Sequence, residues 1–181
     1  MSNFNPRFKL HNACRTDEGY YPRLQYVHFR NGMAYATNAY VLVRAKVSEI
    51  SNLRYDQIKL LDGYSIHGDD FKKMLKYEHI YVTEQGTINI ELNERSHIEI
   101  GMRQITGLPD FDEMLDKRDE VSNEGVCLNP MRLNQLFEAM GADEEDKMLF
   151  HFSGGGKPAI LGYPQDSDLS IVGCILAKKI D

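Results

Sequence analysis

Long apolar runs are missing from this 181-residue sequence: nowhere do about 18 apolar residues follow one another, so no membrane-spanning helix is expected. The start, MSNFNPRFK, has none of the apolar core of a secretory signal, and the cytoplasm is the expected location. Cysteine is scarce. The three present, Cys14, Cys127 and Cys174, are widely spaced and form no C-x-x-C pair, so neither a disulfide framework nor a zinc knuckle is indicated, and small buried hydrophobes are the expectation. The six histidines, at 11, 28, 67, 79, 97 and 151, show no HExxH or other ligand spacing, and His28, His67 and His151 fall within apparent strands. No G-x-S-x-G elbow occurs, and no Ser, His and Asp arrangement is detectable. Gly154-Gly155-Gly156-Lys157 is followed by Pro158, not by the Ser or Thr that opens the helix of a phosphate loop. No enzyme, metal or cofactor is therefore expected. Positive charge is also short: 21 Lys and Arg against 27 Asp and Glu give a formal net charge of −6, which argues against a generic nucleic-acid binder.

What is present is an ordinary globular composition, 42% hydrophobic and 27% charged, on a chain long enough for one large or two small domains. The acidity is concentrated. Residues 110 to 124, DFDEMLDKRDEVSNE, hold seven acidic side chains against two basic ones, and Asp143 to Asp146 add four acids in a row. Away from these two stretches basic residues outnumber acidic ones.

The pattern along the chain is a repeat of strand, helix and three strands. In the middle copy YSIHG predicts a strand and DDFKKMLKY a helix, with Phe71, Met74 and Leu75 on one face; HIYVT, TINIEL and HIEIG follow as strands. In the last copy GVCL is a strand and NPMRLNQLFEAMG a helix with Asn129 as N-cap, Pro130 at its first position and Gly141 as its stop. KMLFHF, PAILGY and LSIVGCIL are the strands after it, the first two joined by the Gly154 to Gly156 turn. The N-terminal copy is less regular: NPRFKLHNACR opens on the same Asn-Pro signature at Asn5 and Pro6 and reads as either helical or extended, before the strands RLQYVHF, MAYATN and YVLVRAKV. Between the middle and last copies, GLPDFDEMLDKRDEVSNE is polar, acidic and proline-bearing, the composition of a connector. Antiparallel meanders each preceded by a helix imply an α+β fold with helices on one face of curved sheets.

Three stretches carry a family resemblance: NGMAYATNAYVLVRAKV; ITGLPDFDEML at 105 to 115; and LNPMRLNQLFEAMG with its hairpin and closing LSIVGCIL. In this order they resemble the bacterial DNA sliding clamp, the β subunit of DNA polymerase III, whose domains repeat this helix-plus-meander unit. Measured against that family the chain is short, similar to the second domain joined to the last half of the third. The resemblance implies a clamp-like domain at 1–107 made of two units, an acidic connector at 108–124 and a third unit at 125–181.

It also implies two surfaces. Clamps line their inner wall with helices whose basic side chains meet duplex phosphates without reading sequence; the counterparts here are Lys72, Lys73 and Lys76 on the middle helix, Arg132 and Gln135 on the last, and Arg7, His11 and Arg15 if their segment is helical. An ordinary solvated helix face fits the same residues. Clamp partners dock an apolar peptide into a pocket, whose counterparts are Thr37, Asn38, Ala39, Tyr40 and Leu42, then Pro109 and Met114, then Val172 and Cys174. Plain core packing is the alternative. Asn38-Ala39-Tyr40-Val41 stands where the family usually has Asp-Gly-His-Arg, and a bulky Tyr40 is expected to narrow the pocket. The implied function is a non-enzymatic processivity factor that associates weakly with double-stranded DNA, tethers a polymerase or other replication protein and forms a homo-oligomer. An interaction adaptor of the same fold that does not encircle DNA is the alternative.

Overall fold

A computed structural model describes residues 3–17, 21–116, 126–153, 157–163, 170–176 and 178–179. The architecture is α+β, as expected. The first meander forms β1 (Tyr26–Arg30), β2 (Met33–Thr37) and β3 (Val41–Lys46), and two short helices follow, α1 (Val47–Ile50) and α2 (Tyr55–Leu61). The middle unit supplies β4 (Ser65–His67), α3 (Gly68–Met74), β5 (Ile80–Val82), β6 (Thr87–Asn93) and β7 (Ser96–Gly101). The connector contains a helix, α4 (Phe111–Asp116). The last unit has β8 (Val126–Cys127), α5 (Pro130–Met140), β9 (Leu149–His151), β10 (Ala159–Gly162), β11 (Ile171–Ile175) and β12 (Lys178–Lys179). The glycine turn expected at 154–156 lies outside the described residues.

Units far apart in the chain share one sheet. Its seven antiparallel strands run in the order β4-β1-β2-β3-β11-β10-β9, and the join is a five-residue pairing of β3 with β11, from Ile171 opposite Ala45 to Ile175 opposite Val41. The connector thus divides the chain in sequence but not the sheet in space. β5-β6-β7 form a separate three-stranded sheet, and β8 pairs with β12.

Strand alternation assigns the two faces of the large sheet. Ala34, Ala36, Val41, Val43, Ala45, Leu161 and Ile175 point into the main core, which includes Phe71 and Met74 of α3, Leu10 and Ala13, and Leu136, Ala139 and Met140 of α5. The alternate positions, Tyr35, Leu42, Ile160, Val172 and Cys174, point to the opposite face. Helix α5 lies close against β11: a Cβ added at Gly173 would stand 2.7 Å from Leu136 Cδ1 and 2.8 Å from Met140 Sδ. The ends of α5 are those the sequence predicts. The Asn129 side chain accepts from the backbone N–H of Met131 at 3.0 Å and of Arg132 at 3.3 Å, and Gly141 closes the helix at φ 75°.

The middle helix is shorter than expected, and the N-terminal segment, open to a helical or an extended reading, takes neither form throughout. The N-terminal segment is not a helix over its length but a single 3-10 turn, Leu10–Ala13. Asn5 caps only a local turn by accepting from Arg7 N–H at 3.0 Å, and Lys9, at φ −92° and ψ 56°, leaves the helical region before the turn begins. The middle helix is shorter than DDFKKMLKY. It tightens at its end, where Lys76 N–H donates to Lys73 O and Tyr77 N–H to Met74 O, so Lys76 sits just beyond α3.

Candidate nucleic-acid interface and the covered apolar face

The 3-10 turn Leu10–Ala13 packs against both α3 and α5, and the three elements together wall a groove of about 760 Å³. His11, Arg15, Lys72, Arg132 and Gln135 all line it, so residues from all three units meet on one surface. Lys73 and Lys76 are exposed nearby. Arg7 is not in the lining. Its guanidinium is held at the far end of α5, where Nε donates to the Gly141 carbonyl and Nη2 pairs with Asp146 and, at 3.1 Å, with Asp143. With no helix spanning this segment, Arg7 does not share a side with His11 and Arg15.

The groove carries both signs of charge, since Asp17, Asp69 and Glu138 line it as well. Arg15 forms a fork with Asp17, Nε to Oδ1 and Nη2 to Oδ2, the latter at 2.9 Å. Lys73 donates to Asp70 at 2.8 Å. Burial, with Lys72 and Lys9 adding repulsion, lowers the His11 pKa to about 4, so its ring is neutral at pH 7. Among the described residues Lys72, Lys76 and Arg132 have no carboxylate within ion-pair distance. Arg132 instead stacks its guanidinium over the Tyr40 ring, 3.5 Å from the ring centre.

This stacking places Tyr40 in the groove. The turn before β3 is built from side chains: Thr37 Oγ1 donates to Val41 O at 2.7 Å and accepts from Ala39 N–H at 3.1 Å, while Asn38 Oδ1 accepts from the N–H groups of Tyr40 and Val41. Ala39 takes φ 75°, a left-handed angle that glycine accepts without strain. The turn delivers Tyr40 to the groove lining beside Arg132, and Tyr40 is not part of the cluster formed by Leu42, Val172 and Cys174.

On that opposite face Leu42, Val172 and Cys174 are together, as the resemblance implies, but α4 covers them. Phe111 and Leu115 are 4% and 0% exposed, packed in one cluster with Tyr35, Leu42, Ile160, Val172 and Cys174. Burial pushes the Cys174 thiol up to about 12, so it is an unreactive apolar group. The Phe111 ring stacks on Tyr35 with centroids 5.3 Å apart. Asp112 fastens the helix: it accepts from the Tyr35 hydroxyl at 2.9 Å and from Arg44 Nη1 at 2.7 Å. Pro109 and Met114 stay exposed on the connector. Sequence reasoning passed over Phe111, Asp112, Leu115, Tyr35 and Arg44, although Phe111 and Leu115 stand four residues apart and signal a short apolar helix face.

No protein-family model matches the sequence, and no curated protein matches it. Solved structures do match in fold. The β subunit of DNA polymerase III from Thermotoga maritima is 12% identical, with a TM-score of 0.63 over 99% of this chain and 64% of that one. The β subunit from the DNA polymerase of Streptococcus pyogenes is 11% identical, with a TM-score of 0.62 over 97% and 63%. The DNA polymerase sliding clamp from Bacillus subtilis is 14% identical, with a TM-score of 0.58 over 100% and 65%. The chain therefore has the fold of the bacterial sliding clamps in shortened form, spanning about 64% of the length of the Thermotoga protein. At this identity the likeness is one of fold.

Proposed function

We propose that this chain is a non-enzymatic, clamp-like processivity factor that associates with double-stranded DNA and tethers a polymerase or other replication protein. The reading includes two clamp-like units in 1–107, the acidic connector 108–124 and a third unit in 125–181, acting as a homo-oligomer in the cytoplasm. Among the described residues no helix is long and apolar enough to cross a membrane. The observation that carries the proposal is the convergence of Arg15, Lys72, Arg132 and Gln135, from three separate units, on one groove at the helix-bearing face of a clamp fold. The contact is electrostatic and carries no base information. Partner affinity resides on the other face: an apolar peptide engages Pro109 and Met114 at the rim, and reaches Leu42, Val172 and Cys174 where α4 gives way.

The test is duplex binding at about 50 mM salt by the parent and by the Lys72→Ser, Lys73→Ser, Lys76→Ser triple variant. The variant should bind every duplex sequence more weakly. Lys73 is already paired with Asp70, so Lys72 and Lys76 carry the contact, and the slope of log affinity against log salt should flatten by about 2, at roughly 0.9 per phosphate. Equal binding by parent and variant sinks the DNA-facing surface.

A second reading, a non-encircling adaptor, is favoured by one observation: Arg7, Arg15 and Lys73 are each neutralised by a neighbouring carboxylate on a chain of net charge −6. Light scattering during gel filtration separates the two. An assembly of several chains supports the clamp, and a strict monomer supports the adaptor.

A further inference from the structure

The groove has two features that phosphate contact does not use. The first is the Tyr40 and Arg132 pair. Exposed aromatic surface is costly in water, yet Tyr40 keeps 48% of its surface exposed while the guanidinium lies 3.5 Å from its ring centre. The turn of Thr37, Asn38 and Ala39 fixes the backbone that carries it through four side-chain to backbone hydrogen bonds, one of them from the Tyr40 N–H. The second is unused hydrogen-bonding capacity: His11 Nδ1 and Gln135 Oε1, both from residues of the groove lining, are shut off from solvent and have no partner. Both belong to side chains with broad terminal torsions, and reaching a ligand in the groove takes rotation about them. Asp17, Asp69 and Glu138 share the lining with the groove's cations, and Asp17 already pairs with Arg15, so contacts other than phosphate charge are open to a ligand there.

We propose that the groove binds an unpaired nucleobase of a single-stranded nucleic acid, stacked on the exposed Tyr40 and Arg132 pair, with Gln135 and His11 hydrogen-bonding to the base edge. An aromatic ring and a guanidinium plane offer a stacking platform to any base, and an amide oxygen and a neutral imidazole suit the exocyclic amines and ring nitrogens that pairing hides in a duplex. The inference goes beyond duplex association and shares with it only the assignment of the groove.

The test uses the full chain and three fluorescently labelled probes: a short single-stranded oligodeoxynucleotide, its duplex, and a single strand of equal length whose bases are replaced by abasic sites. The single strand should bind more tightly than either of the others. Tyr40→Ala should weaken that binding about 5- to 150-fold, the loss of one base stack, while Tyr40→Phe retains it. Gln135→Leu, checked for an unchanged thermal melt, should weaken it further. A matching single-stranded RNA arm reports whether the sugar matters; tighter binding of either sugar type than of the abasic strand supports the proposal. Equal binding of the abasic strand, no saturable binding of any single strand, or no effect of Tyr40→Ala overturns it. Tyr40→Ala removes the stack and leaves the lysines in place, whereas the lysine triple variant removes charge and leaves the stack, so the two readings fail separately.

Discussion

Replacing Asp112 with alanine isolates what holds the connector helix against the sheet. Its carboxylate accepts from Arg44 Nη1 at 2.7 Å and from the Tyr35 hydroxyl at 2.9 Å, while Phe111 and Leu115 on either side are buried. The Arg44 side chain is only 9% exposed, so loss of the carboxylate removes a charge-assisted bond from a largely desolvated cation. Such a bond is worth about 1.5–3 kcal/mol, and the lower end applies because the Asp112 side chain is 46% exposed and water screens the pair. The Tyr35 hydroxyl adds about 1 kcal/mol. The expected total is about 2–3 kcal/mol, or roughly 4–12 °C in melting temperature for a chain of this size. Urea titration followed by circular dichroism measures it. Asp112→Asn keeps an acceptor for both donors and should lose about half as much. A shift below about 0.5 kcal/mol for Asp112→Ala, the size of an ordinary surface change, would refute the claim that Asp112 fastens α4.

Acid should destabilise the protein through two histidines. Burial, the largest cause for each, lowers His11 and His28 to about 4, whereas an unfolded histidine titrates near 6.5. Between those values the unfolded chain binds protons that the folded one refuses, so this contribution to stability is complete above about pH 6.5 and declines as pH falls toward 4. Urea midpoints measured from pH 7 to 5 should fall, and His11→Asn should reduce the slope; a flat profile contradicts the burial argument. Gly173→Ala should cost about 1–3 kcal/mol, because the new methyl meets Leu136 at 2.7 Å and Met140 at 2.8 Å. An unchanged urea midpoint would show that α5 does not approach β11 so closely. Asn129→Ala should cost about 1 kcal/mol by removing the cap of α5, seen as a lower thermal midpoint.

Local chemistry by itself determined most elements of this protein. The strands β1 to β3, β5 to β7 and β9 to β11 follow from short alternating apolar runs bounded by turn residues, and α5 follows from Asn129, Pro130, an apolar stripe and Gly141, because each signal is complete within a window of the chain. The N-terminal segment shows where a local signal runs out. Asn5 and Pro6 are compatible with a helix start, but Arg7 is drawn to the Gly141 carbonyl and to Asp143 and Asp146, groups far along the chain, and the helix does not form. Only the tertiary structure decided that β3 pairs with β11, which brings Leu42 beside Val172 and Cys174 as the resemblance implied, and then covers all three with Phe111 and Leu115. It also decided which basic side chains stay unpaired. Strand pairing and ion pairing depend on which surfaces meet across the chain, and a sequence pattern that marks Arg15 and Lys72 alike as exposed cations says nothing of the Asp17 carboxylate that answers one of them and not the other.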